Sequence, residues 1–88
     1  MAWTIDYTDA ARRSLRKLDG QTTRRIVDFL DRRIATSENP RQIGQALAGP
    51  LSGYWKYRVG DFRVICDIQD NRLVVLVVEI GNRREVYR

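Results

Sequence analysis

Apolar and polar residues alternate at both ends of the chain and follow a helical period between them. Trp3, Ile5 and Tyr7 alternate with polar neighbours, which predicts a short first strand. Thr8 then stands where a helix N-cap is wanted, with Asp9 in the first turn, and Ala11, Leu15 and Leu18 mark one helical face. Asp19-Gly20 is expected to end this first helix. From Gln21 to about Ala35, Ile26, Phe29, Leu30 and Ile34 form the stripe of a second helix. Its other face carries Arg24, Arg25, Asp28, Asp31, Arg32 and Arg33, a solvated surface in which Asp28 and Arg32 have the spacing of an i,i+4 ion pair. Two helices across so tight a break predict an antiparallel hairpin.

Asn39-Pro40 stops the second helix, and a loop containing Gly44, Gly49, Pro50 and Gly53 follows, anchored to the core by Leu47 and Leu51. From Tyr54 the pattern is strand-like. The runs 54–59, 62–69 and 72–80 are separated by Gly60-Asp61 and Asp70-Asn71. Each pair reads as a two-residue hairpin turn, type II′ for Gly-Asp and type I′ for Asp-Asn. The order β-α-α-β-β-β predicts an α+β fold, with a two-helix hairpin packed on one face of a curled, mainly antiparallel sheet. The chain has 88 residues with no linker, repeat or low-complexity tract, so residues 1–88 are expected to form one domain.

Composition narrows the chemistry. There is one cysteine, Cys66, so no internal disulfide forms, and the absence of histidine removes the usual zinc ligands and the commonest acid–base catalyst near neutral pH. No metal site and no cofactor are expected. No stretch has the length and apolarity of a membrane span, and no signal peptide is apparent, so a cytoplasmic location without membrane association is expected. Sixteen Lys+Arg against eleven Asp+Glu give a net charge of +5, and all but Lys17 and Lys56 of the sixteen are arginines. The guanidinium fork matches phosphate oxygens and stays charged at any physiological pH, so a nucleic acid or an acidic protein is the natural partner.

The first hairpin sorts these cations. With Gly60-Asp61 as the loop, Val59 pairs with Phe62, Arg58 with Arg63, Tyr57 with Val64 and Lys56 with Ile65. Strand alternation then puts Lys56, Arg58 and Arg63 on one face and Trp55, Tyr57, Val64 and Cys66 in the core. Arg58 and Arg63 stand opposite each other with β-carbons about 5 Å apart, and Lys56 is about 7 Å further along. Like charges facing across a ladder are destabilising. Their convergence therefore points to an anion among them, with Asp67 on the same face as the internal alternative. The second turn sets Asp67 opposite Val74 and Ile65 opposite Leu76, giving the cations an otherwise apolar floor. The chain ends in Arg83-Arg84-Glu85-Val86-Tyr87-Arg88, which adds three arginines and a tyrosine.

The run 47–64, with its Gly53-Tyr54-Trp55-Lys56-Tyr57-Arg58-Val59-Gly60-Asp61-Phe62-Arg63-Val64 core, and the tail Gly81-Asn82-Arg83-Arg84-Glu85-Val86-Tyr87 together resemble the RelE branch of the RelE/ParE toxin superfamily. The likeness extends over the whole chain, including Leu15-Arg16-Lys17-Leu18 in the helix pair. It implies the toxin half of a type II toxin–antitoxin pair. Such toxins enter the ribosomal A site and cut mRNA there without a metal, by attack of a ribose 2′-hydroxyl on the adjacent phosphate, leaving a 2′,3′-cyclic phosphate. Carried over, Lys56, Arg58, Arg63, Arg83 and Tyr87 match the family's catalytic positions, and Arg84 and Arg88 flank them as RNA contacts. Arginine is a poor general base, with a pKa above about 12, so Lys56 is the better candidate for that role. Asn82 stands where many members have histidine.

The resemblance also implies partners: a cognate antitoxin in a hetero-oligomer that reaches operator DNA through the antitoxin, and the ribosome with its mRNA. Two alternatives remain within it. One is a ParE-like toxin that inhibits DNA gyrase. The other is a degenerate member that only binds antitoxin or nucleic acid.

Overall fold

The side chain of Thr8 does two jobs at the start of the helical part of the chain. Its hydroxyl oxygen accepts from the Ala11 N–H at 3.1 Å, capping the helix, and its O–H donates to the Val78 carbonyl at 3.2 Å, tying that cap to the far end of the chain. The structure is a computed structural model and describes residues 2–82. The predicted strand before Thr8 forms as β1, Thr4–Tyr7, and the first helix as α1, Asp9–Lys17.

The break that follows differs from expectation. Asp19 does not stop α1 through Gly20; it is the N-cap of α2, Gly20–Phe29, accepting from the Thr22 N–H through Oδ2 at 3.2 Å. The stop falls one residue earlier, where Leu18 turns extended. An aspartate followed by a small residue serves a helix start as well as an end, and here the cap prevails. α2 runs directly into one π-helical turn, Leu30–Ile34, closed by the Ala35 N–H bonding to the Leu30 carbonyl at 2.9 Å. Asp28 and Arg32 form no ion pair.

The segment expected to be a plain loop carries a two-residue strand, β2, Gln45–Ala46, between two short 3-10 turns, Pro40–Gln42 and Gly49–Leu51. Leu47 and Leu51 are only half-buried and stay outside the core cluster. The segment is held instead by the buried Tyr57 hydroxyl, which donates to the Pro40 carbonyl at 2.8 Å, and by Arg41, which donates both arms to Asp70 at 2.9 and 2.6 Å.

The last three strands are β3 (Trp55–Val59), β4 (Phe62–Gln69) and β5 (Val74–Asn82). With β1 and β2 they make one five-stranded sheet in the order β1-β5-β4-β3-β2, parallel at β1/β5 and antiparallel elsewhere. The second turn is longer than two residues. Residues 70–73 close it, with Leu73 at a φ of 53°, so Asp67 faces Leu76 and not Val74. Both helices pack on one face, where Ala11, Ile26, Leu30 and Ile34 meet Tyr57, Val64, Cys66, Val75 and Val77, all at most 1% exposed. Burying one such aliphatic side chain contributes roughly 1.5–3 kcal/mol. Trp3 and Cys66 belong to this core, as the sequence predicts. Among the described residues, no helix is long and apolar enough to cross a membrane.

Candidate functional site

Alternation along β3 and β4 gives the sheet an apolar face under the helices and a cationic face away from them. The turn between the two strands decides which residues meet. Gly60 has a φ of 60° and Asp61 does not share the positive sign, as a type II′ turn requires. A β-carbon on Gly60 would also lie 3.0 Å from Nη1 of Arg25, a contact the flexible guanidinium can relieve by a small shift, so it is the positive φ that calls for glycine. The resulting register is the one read from the sequence: Val59 with Phe62, Arg58 with Arg63, Tyr57 with Val64 and Lys56 with Ile65. Lys56, Arg58 and Arg63 therefore stand on one face.

Their surroundings differ. Arg58 lies exposed, Lys56 is half-buried, and Arg63 is only 4% exposed, the one buried charged residue among those described. β4 lies between β3 and β5, and the residue opposite Arg63 on β5 is Gly81, which contributes no side chain above it. Of the expected apolar floor only Ile65 lies beside the cations; Val74 is at the far end of the β4/β5 ladder, opposite Gln69, and Glu79 stands opposite Ile65. A guanidinium held in such a place is partly desolvated, and its attraction for an anion is stronger than in open water. Asp67 accepts a hydrogen bond from Gln69 at 3.0 Å.

Gly81 reaches this position through a β-bulge. The ladder slips between Ile65 and Cys66: Cys66 pairs with Val77 but Ile65 pairs with Glu79, leaving Val78 as the extra residue. This corrects the expected pairing of Ile65 with Leu76. An uninterrupted ladder would carry Glu79 to the helix side. The bulge sends Ile80 into the core and turns Glu79 and Gly81 to the cationic face. The extra residue is the one whose carbonyl accepts from Thr8, so the cap of α1 also pins the bulge.

Other groups near these cations escaped sequence reasoning. Gln45 pairs with Lys56 across β2/β3. Phe29, Arg33 and Ile43 join Gln45, Lys56 and Arg58 around a cavity of about 400 Å³. Arg33 lies over the Phe29 ring with its Cζ 5.8 Å from the centroid. The sequence placed Phe29 in the apolar stripe of the second helix and Arg33 on its solvated face, but brought neither them nor Ile43 and Gln45 to Lys56, because neither β2 nor the π turn was legible. Arg41, by contrast, is spent on Asp70, whose carboxyl its hydrogen bonds hold below the usual carboxylate range. Among the described residues, no group of His, Cys, Asp and Glu is arranged to hold a metal ion. Arg83, Arg84, Tyr87 and Arg88 lie outside the described residues.

Residues 5–87 match the family described as ParE toxin of type II toxin–antitoxin system, parDE. The chain is 30% identical over 88 residues to Toxin RelG of Mycobacterium tuberculosis, covering all of this chain and 99% of that protein. It is 31% identical over 84 residues to Toxin RelE of the same organism, covering 96% and 84%. In three dimensions it resembles a chain of the toxin–antitoxin complex RelBE2 from M. tuberculosis, with a TM-score of 0.85, 26% identity and coverage of 94% and 93%. A mutant E. coli toxin RelE in the free state shares the fold, with a TM-score of 0.77, 23% identity and coverage of 99% and 92%. The chain belongs to the RelE/ParE superfamily of type II toxin–antitoxin toxins.

Proposed function

We propose that this toxin is a metal-independent endoribonuclease that cuts mRNA in the ribosomal A site and so arrests translation. The observation that carries the reading is the pairing of an exposed Arg58 with a buried Arg63 across β3/β4, with Lys56 on the same face: a concentration of cations suited to a phosphate group. In the reaction, a ribose 2′-oxygen loses its proton and forms a bond to the adjacent phosphorus. The bond to the 5′-oxygen breaks, a proton is delivered to that oxygen, and a 2′,3′-cyclic phosphate remains. Lys56 is the side chain suited to take the first proton. Arg58 and Arg63 stabilise the charge that accumulates on the phosphorane oxygens, a contribution whose removal commonly costs about 10²–10³ in rate. Arg83 and Tyr87 complete the set by the resemblance, at the phosphate and the leaving group respectively.

The natural inhibitor in this reading is a cognate antitoxin with an acidic toxin-binding segment, which would cover the cationic face and carry the complex to operator DNA. Solved relatives support it, since several are toxin–antitoxin complexes. A second reading, gyrase inhibition, draws on the ParE description of the matching family. One experiment separates the two. The wild type and Arg63→Met, which keeps the buried stem but drops the charge, are expressed and mRNA 5′ ends are mapped. New ends inside translated codons with the wild type only support the ribonuclease. Intact mRNA with induction of the DNA-damage response contradicts it and supports the gyrase inhibitor.

A further inference from the structure

β2 pairs only with Trp55 and Lys56, so along the rest of β3 the sheet edge next to Arg58 is not covered by β2. The cavity of about 400 Å³ opens there, in the range of roughly 300–1,000 Å³ usual for small-ligand sites. Its walls combine three kinds of group: the cations Lys56 and Arg58, the Phe29 ring overlain by Arg33, and the exposed side chain of Gln45. A second cavity of about 370 Å³ runs along α2 and shares Phe29, Arg33 and Arg58. Arg25 and Arg32 lie on its border, and Asp28 is the only acid lining it.

We propose that the first cavity seats the nucleotide flanking the scissile phosphate, with Gln45 reading the edge of its base and Arg33 holding it, while the arginine-lined second cavity guides the strand's backbone. The inference rests on the ribonuclease reading. It goes beyond that reading because neither Gln45 nor Arg33 belongs to the cation set read from the sequence. An amide offers both a donor and an acceptor to a base edge. An aromatic ring and a guanidinium plane are the surfaces on which unstacked RNA bases rest. Arginines along a groove supply the positive charge that tracks a strand's backbone. The apolar anchors of a peptide would find little to fill here, because four of the six walls are polar or charged. The π turn Leu30–Ile34, a feature frequent at functional sites, supplies Arg33.

The test uses purified toxin on programmed ribosomes, with mRNAs carrying each of the four bases on either side of the cut. Gln45→Ala, Arg33→Ala and Arg33→Lys are compared with the wild type in KM, kcat and base preference. Both alanine variants are expected to raise KM about tenfold, and Gln45→Ala to flatten the base preference, with kcat little changed and the melting temperature preserved. Arg33→Lys restores charge but not the planar stack, and recovers only part of the loss. If the wild type cleaves and the variants keep its KM and preference, the pocket assignment is wrong while the ribonuclease reading stands. If they lose only antitoxin affinity, the cavity belongs to the antitoxin and the assignment is likewise overturned. If the wild type itself does not cleave, both readings fall.

Discussion

Replacing Tyr57 by phenylalanine removes one oxygen from the centre of the molecule and tests what holds the segment that carries Gln45. The hydroxyl is buried, donates to the Pro40 carbonyl at 2.8 Å and bridges 17 positions of sequence. Phenylalanine keeps the ring, its edge contact with Phe29 and its packing beneath Gly44, where a β-carbon would come within 2.9 Å of the ring. Only the bond is lost, and the Pro40 carbonyl is left buried without that donor. Such a loss costs about 1–2 kcal/mol. In a chain of this size, 1 kcal/mol moves the melting temperature by about 4–8 °C, so Tyr57→Phe is expected to melt about 4–16 °C lower. Circular dichroism melts give the shift, and amide exchange is expected to quicken at residues 40–46 more than in β4. An unchanged melting temperature, or faster exchange spread evenly over the sheet, would refute the claim that this bond clamps the segment.

Two further expectations concern the turn and the pH profile. Gly60→Ala forces a side chain into the left-handed region and against the Arg25 guanidinium, and is expected to cost about 1–3 kcal/mol in a urea titration; a cost under 0.5 kcal/mol on that scale would mean the turn is not type II′. On the alkaline side, burial pushes Tyr7 up to about 12 and raises the Tyr57 phenol and the Cys66 thiol. The unfolded chain then releases these protons first, so stability is fully present below about pH 8.5 and falls as pH rises from there. Cys66→Ala is expected to remove the earliest part of that decline, and a stability that stays flat from pH 8 to 11 would contradict the burial of these groups. On the acid side, Asp19 and Asp70 are held low by hydrogen bonds from Thr22 and Arg41, so their contribution is lost as pH falls below the ordinary carboxylate range.

The cationic face was legible because a two-residue turn leaves no freedom: once Gly60-Asp61 is the loop, parity places Lys56, Arg58 and Arg63 together. The same reasoning failed at Asp70-Asn71. Leu73 adopts a positive φ that leucine rarely takes, so no propensity flagged the longer turn. It also missed the bulge at Val78, which depends on a hydrogen bond from Thr8, 70 residues away. Local pattern carries no trace of such a contact. β2 and the π turn were hidden for a related reason. Gln45-Ala46 has no strand propensity, and the turn at 30–34 has the same stripe as an ordinary helix. Burial explains a further difference. Composition treats Arg58 and Arg63 alike, but the sheet order puts one at an open edge and the other in its interior.

That difference sets up the most direct test of the account. Single-turnover cleavage of ribosome-bound mRNA is measured for the wild type, Arg58→Ala and Arg63→Met, with the 3′ product ends identified by their susceptibility to phosphatase before and after acid opening of a cyclic phosphate. The account predicts 2′,3′-cyclic phosphate ends from the wild type and rates lowered about 10²–10³-fold in each variant, with both variants folded by circular dichroism. Wild-type rates from folded variants, or 3′-hydroxyl ends from the wild type, would contradict it.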